Sequence, residues 1–184
     1  VISKIQAKMD IVATAEAAAA AAAYEELHVP ALFKPWAPLV VKASKIGPGD
    51  RVLDVACGTG ILTREVSSIV GDSGFVAGVD VNPGMLSIAR KLAPSVEWKQ
   101  GLAEALPYPD GSFNVVTCQF GLMFFENRLT ALREMLRVLV PGGRITAAVW
   151  GSLESTKAIA TEVELLNRIA GQAAADALKA PFVL

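Results

Sequence analysis

Cysteine and histidine are scarce in this 184-residue chain: Cys57 and Cys118 are the two thiols, His28 the single imidazole. Two thiols so far apart give neither a disulfide framework nor a CxxC metal spacing. One histidine rules out a multi-histidine metal site within the chain, so no metal is expected. Neither sign of charge is in excess. Seventeen Lys+Arg against 18 Asp+Glu leave a formal charge of -1 and a pI near 5.9. That balance argues against a general nucleic-acid binder, which carries a basic face and a high pI. Long, strongly apolar runs are missing as well. No stretch reaches the roughly 18 residues of a membrane span, and the first residues show no basic-then-apolar signal pattern. The expected compartment is the cytoplasm.

What is there is apolar material. At 53% hydrophobic residues the chain can bury a sizeable core, which excludes global disorder. A mean hydropathy of +0.44 is inflated by thirty alanines. Seven of them run unbroken from Ala17 to Ala23, either as a genuine helix of the best helix former or as placeholder residues; no chemistry is read from them. Residues 1–44 read as an N-terminal helical cap, broken into short turns by Pro30, Pro35 and Pro38.

The pattern changes at Ile46-Gly47-Pro48-Gly49-Asp50, a turn signal. Beyond it, strand-length apolar runs alternate with amphipathic helices. Val52–Ala56, Phe75–Asp80, Val96–Gln100, Phe113–Gln119 and Arg144–Trp150 read as strands. Ile61–Val70 reads as a helix, and Asn82 caps another that begins at Pro83, the favoured arrangement. Leu129, Leu132, Leu136 and Leu139 form a helical stripe expected to face the core. Such alternation implies an α/β domain over residues 45–150 with a doubly wound, mostly parallel sheet. Residues 151–184 read as a largely helical lid.

In such sheets ligands bind beyond the carboxyl ends of the strands. The first strand-to-helix turn is Asp54-Val55-Ala56-Cys57-Gly58-Thr59-Gly60. Its small residues admit a ligand close to the backbone, and free N–H groups at the helix start could hold an anion. A dinucleotide fingerprint looks similar, but Thr63 stands where its third glycine belongs. Asp54 would repel a pyrophosphate and attract a cation. Asp80, ending the second strand, suits two ribose hydroxyls. An adenosine joined to a positively charged amino acid fits both acids better than a dinucleotide.

The segments VLDVACGTGILT, GVDVNPGML, GLAEALPYPDGSFNVVTCQFGL and ALREMLRVLVPGG, in that order, resemble the class I S-adenosylmethionine-dependent methyltransferases. The branch they are most similar to is the quinone-biosynthesis C-methyltransferases. The resemblance implies a Rossmann-like fold with S-adenosylmethionine as cofactor, S-adenosylhomocysteine as product and a small-molecule methyl acceptor. It assigns the methionine end to Asp54 and the backbone of Ala56, Cys57 and Gly58, and the ribose to Asp80. Val81 and Met85 would pack on the adenine, with Leu102 and Ala103 along its edge. Cys118 and Gln119 would lie beside the methionine moiety and the methyl, and Tyr24 would close over it. Two departures stand out. Ala56 replaces a glycine, and Leu102 replaces an aspartate that accepts from the adenine amine.

No dedicated catalytic residue is evident, and His28 is not expected to act as a general base. The segment after the fourth strand, Cys118-Gln119-Phe120-Gly121-Leu122-Met123-Phe124-Phe125, lacks the Asn/Asp-Pro-Pro-Tyr/Phe motif of base-modifying DNA methyltransferases. Its apolar wall suits a small hydrophobic metabolite. The rival readings are a non-catalytic binder of the same cofactor and a nicotinamide-dependent oxidoreductase. The family sheet has seven strands and the sequence shows five, so the C-terminal strand hairpin is missing and the chain is expected to be part of a longer protein.

Overall fold

The computed structural model describes residues 15–182; residues 1–14 of the expected cap, and Val183 and Leu184, lie outside it. Helix α1 (Ala15–Ala23) contains the alanine run. Ala21 is buried, and the Ala17 carbonyl lies so near Gly84 that a Cβ on Gly84 would stand 2.9 Å from it. Small side chains on both partners therefore allow this close helix contact.

The prolines do not break the next stretch into separate turns. Tyr24–Phe33 forms a π-helical segment with Pro30 inside, and a single 3-10 turn, Lys34–Trp36, leads into α2 (Ala37–Ser44). Pro30 has no N–H to donate, and the wider π turn tolerates that loss. Pro35 and Pro38 sit at helix starts, where the N–H is not needed.

Five parallel strands follow: β1 (Arg51–Val55), β2 (Phe75–Asp80), β3 (Glu97–Gln100), β4 (Phe113–Gln119) and β5 (Leu139–Ala148), in the order β3-β2-β1-β4-β5. Between them lie α3 (Ile61–Val70), α4 (Pro83–Leu92) and α5 (Arg128–Arg137). The chain winds outward from β1 to β3 and then returns to its other side at β4. The crevice at that reversal is the expected ligand position. β1 stops at Val55 because Ala56 takes a left-handed conformation, φ 57°.

The fifth strand begins earlier than expected and is irregular. Phe113 pairs with Leu139 but Val115 with Arg144, so Pro141 and Gly142 bulge out of the ladder. Gly142, at φ 81°, makes the bulge possible. Trp150 lies beyond the strand end. The other edge of β5 has no partner strand among the described residues. Helices α6 (Lys157–Ala170) and α7 (Gln172–Lys179) pack on each other after it.

Both sheet faces are covered. Val40 and Val41 of α2, Leu62 and Val66 of α3 and Leu86 of α4 fill one side with Trp98. Phe113, Leu106, Tyr108 and the α5 residues Ala131 and Met135 fill the other. Here half of the expected leucine stripe is corrected: Leu132 and Leu139 pack against the core, Leu129 and Leu136 do not. Leu129 and Leu136 are 58% and 61% exposed, while Ala131, Met135 and Val138 are fully buried. The helix is turned so that its polar flank grips the loop between β3 and β4. Glu134 Oε2 accepts the Leu106 N–H, and Arg137 donates to the carbonyls of Leu106 and Tyr108 and to Asp110.

Candidate active site

Beyond the carboxyl ends of β1, β2 and β4 lies a cavity of about 510 Å³. Every residue expected at the site lines it except Cys118, whose side chain is fully buried in the core behind it. Burial pushes the Cys118 thiol up to about 12 and the Cys57 thiol well above its ordinary range, so neither is a nucleophile at neutral pH.

Asp54 sits in the middle of the sheet, paired with Gly78 on β2 and Thr117 on β4. It is 1% exposed. The Thr63 hydroxyl donates to its Oδ2 at 2.6 Å and the Thr117 hydroxyl to its Oδ1 at 3.0 Å. Burial raises its pKa to about 6, against the pull of the two threonines and helped by the charge of Asp80. The group is thus mostly ionised at pH 7, a negative charge held just beneath the glycine turn.

Asp80 ends β2 and ties three backbones together. Its Oδ2 accepts the Gly58 N–H at 2.8 Å and its Oδ1 the Asn82 N–H at 2.9 Å. Burial raises its pKa, opposed by the backbone N–H groups of Asn82, Gly58 and Val81. The carboxylate keeps lone-pair capacity for a ligand hydroxyl. Asn82 caps α4 as expected, accepting from the Gly84 and Met85 N–H groups.

Within the glycine turn Cys57 donates to Val79 O, Gly58 to Asp80 and Gly60 to Cys57 O. With these three donors engaged and a carboxylate bound to one of them, the turn itself offers little to an anion. Among the described residues no lysine or arginine lines the cavity, whereas Asp54, Asp80, Glu104 and Glu126 do. The lining is acidic and apolar, a setting that suits a cation better than a pyrophosphate. Space is also present, because a Cβ on Gly58 would meet no atom within 4 Å.

Val81, Met85, Leu102 and Ala103 form an apolar slot next to Asp80. The Gln100 amide donates to the Val81 carbonyl, fixing the slot floor. Glu104 Oε1 accepts the Asn127 N–H at 3.1 Å.

The opposite end is aromatic. Phe120 and Trp150 stack with centroids 4.0 Å apart and planes 11° from parallel, and Phe33 lies against both. Phe120 is in the left-handed region at φ 56°, a strained conformation for an aromatic residue. Its N–H bonds to Ala148 O, which holds the ring toward Trp150. Sequence reasoning missed Phe33 and Trp150, which are far from the motifs in the chain. It also missed Thr63, which the helix after the turn brings back over Asp54, and Thr117, which the Asp54–Thr117 register sets beside it.

The π-helical segment roofs this cavity. Tyr24 stacks on His28 and Phe33, and burial together with Asp80 raises its phenol pKa, so it stays neutral. His28 itself is exposed and does not line the cavity. At one end of the roof, Glu25 pairs with Arg64 at 2.7 Å; at the other, the Gln119 amide donates to the Phe33 carbonyl at 3.2 Å.

Residues 27–164 match the model of the ubiE/COQ5 methyltransferase family. Among curated proteins, the ubiquinone/menaquinone biosynthesis C-methyltransferase UbiE of Ectopseudomonas mendocina (strain ymp) is 46% identical over 120 residues, 62% of this chain and 47% of that protein. The UbiE of Pseudomonas savastanoi pv. phaseolicola is 44% identical over 116 residues, 60% of this chain and 45% of that protein. The chain thus spans about half the length of the curated relatives it matches. Among solved structures, the YcgJ protein of Bacillus subtilis superposes with a TM-score of 0.59 at 28% identity, covering 71% of this chain and 58% of that one. A SAM-dependent methyltransferase of Aquifex aeolicus gives 0.57 at 26% identity, covering 60% and 62%.

Proposed function

Since the chain belongs to the ubiE/COQ5 methyltransferase family, we propose that it binds S-adenosylmethionine and directs its methyl group to a small, largely apolar ring-bearing metabolite. The observation that carries this reading is the cavity's polarity: a buried and a partly buried carboxylate toward the ends of β1 and β2, no cationic side chain in the wall among the described residues, and an aromatic far end. When bound, the cofactor supplies an electrophilic methyl on a sulfonium. The protein's own residues orient and exclude water. Asp80 is placed for the ribose hydroxyls, the Val81–Met85–Leu102–Ala103 slot for the adenine, and Asp54 for the positive charge. Phe33, Phe120 and Trp150 hold the acceptor's ring in line, where near-attack placement accelerates the transfer.

The curated relatives' names point to a quinone-type acceptor, and the flat aromatic wall suits a planar ring. The buried free thiols of Cys57 and Cys118 fit a reducing compartment, the cytoplasm. No helix among the described residues is long and apolar enough to cross a membrane.

The test has two stages. Calorimetric titration should show S-adenosylmethionine and S-adenosylhomocysteine binding and no NAD binding. Homocysteine release, followed across a panel of hydroxylated aromatic and quinol compounds, should then reveal turnover. Binding without turnover on any acceptor would favour the non-catalytic reading, and NAD binding in place of the adenosyl ligands would sink both.

A further inference from the structure

Arg64 lies in the first turn of α3, outside the cavity wall, yet it reaches both structures that enclose the methionine end. Its Nη1 donates to the Thr59 carbonyl at 2.8 Å, inside the glycine turn. Its Nη2 donates to Glu25 Oε1 at 2.7 Å, one residue from Tyr24 in the roof. The side chains of Arg64 and Glu25 are only 22% and 23% exposed, so the pair is partly shielded from water. A planar guanidinium can make both bonds at once in a fixed geometry; a lysine ammonium on the same stem cannot hold them with that rigidity.

Beside the two bonded groups, Glu25 Oε2 and Thr59 Oγ1 are buried with no hydrogen-bond partner among the described residues. Arg64 holds the register between the turn and the roof. The turn is set by the left-handed Ala56, Gly58 and Gly60, and the roof is an irregular π-helical segment. Arg64 stands on a regular helix between them.

We propose that Arg64 is a positioning residue for the cofactor, coupling the glycine turn to the Tyr24 roof so that either piece in place favours the other. The proposal rests on the cofactor reading above. Arg64 touches no ligand itself; it acts through the Thr59 carbonyl and through Glu25.

A double-mutant cycle on the full chain tests it, with S-adenosylhomocysteine affinity by calorimetry as the readout. Arg64→Ala and Glu25→Ala should each weaken binding by about tenfold, the scale of one charge-assisted hydrogen bond. The double variant should be no weaker than Arg64→Ala alone, because both changes break one link. Arg64→Lys should fall between wild type and Arg64→Ala, and Glu25→Gln, which still accepts from Arg64, should stay near wild type. Thermal midpoints without ligand separate a folding defect from a binding one, and Glu25→Ala carries the test if Arg64→Ala misfolds. Affinities within twofold of wild type for both single variants, or losses that multiply in the double, would overturn the coupling. If wild type itself bound no S-adenosylhomocysteine, the cofactor reading would fall first and the coupling with it.

Discussion

The carboxylate of Asp80 accepts the Gly58 N–H at 2.8 Å, joining the end of β2 to the turn that follows β1. One acid thereby shapes the turn and faces the position expected for the ribose. Asp80→Ala should weaken S-adenosylhomocysteine binding by about tenfold or more, since hydrogen bonds to a charged group are worth roughly 1.5–3 kcal/mol. Asp80→Asn, which can still accept the Gly58 N–H with its one oxygen, should retain more affinity than Asp80→Ala. Calorimetry showing both variants at wild-type affinity would remove the ribose role.

Asp54 sets a pH dependence whose sign can be worked out. Its folded pKa of about 6 is above the ordinary carboxylate value. The ionised form therefore costs stability at neutral pH, and that cost is relieved as pH falls through about 6 toward the unfolded value near ~3.9. Binding runs the other way. Affinity for the sulfonium-bearing S-adenosylmethionine should drop below pH 6, while neutral-sulfur S-adenosylhomocysteine should change less. Asp54→Asn should abolish that difference and unfold at higher urea at pH 8. A ratio of the two affinities that stays flat from pH 5 to 8 in wild type would contradict the electrostatic role.

The left-handed Ala56 predicts a stabilising change. A non-glycine residue there costs roughly 1–2 kcal/mol, and glycine's greater freedom when unfolded gives back roughly 0.5–1 kcal/mol. Ala56→Gly should therefore raise stability by about 0.5–1 kcal/mol. A Cβ on Gly121 would stand 2.6 Å from the Ala56 Cβ and 2.9 Å from the Cys118 sulfur. Gly121→Ala should thus be destabilising, and less so in the Ala56→Gly background. Equal urea shifts in the two backgrounds would show that the clash lies elsewhere.

Leu102 predicts a gain of binding. It lines the slot proposed for the adenine, and the nearby Glu104 already accepts the Asn127 N–H. A carboxylate at position 102 would meet the adenine amine, so Leu102→Asp should tighten S-adenosylhomocysteine by about 1 kcal/mol. Selectivity over the inosine analogue should rise in parallel. If Leu102→Asp changes nothing while Glu104→Gln erases the adenine preference, Glu104 is the acceptor instead.

How far the sequence carried depends on whether the forces involved are local. The Asp54–Gly60 turn, the Asn82 cap and Asp80 at a strand end are set by neighbours a few residues away, and each is legible in the chain. Burial of α5 is not. Leu129 and Leu136 satisfy helical periodicity, but the helix is rotated by Glu134 and Arg137 reaching a loop nearly 30 residues earlier. Pro30 misled for a related reason, because a π-helical turn absorbs the missing N–H that would end an α-helix. Thr117, one of the two threonines that hold Asp54, becomes visible once β4 is laid beside β1. The aromatic end needs Phe33, Phe120 and Trp150 together, and no spacing rule joins them.

Arg137 has a further effect on the adenine slot from the opposite side of the loop. Between β3 and β4 there is no helix, only residues 101–112 with an isolated bridge from Leu102 to Ala105. A segment of that kind would ordinarily fluctuate and have to be ordered each time a ligand arrived. Three hydrogen bonds from one guanidinium, to Leu106, Tyr108 and Asp110, fix it in advance, while two more to Glu134 of the same helix aim the guanidinium. One side chain thus takes the place of a missing helix. Ligand capture at the Leu102–Ala103 edge then begins from a rigid surface, so substitutions at Arg137 should register as slower association, with the slot's own residues untouched.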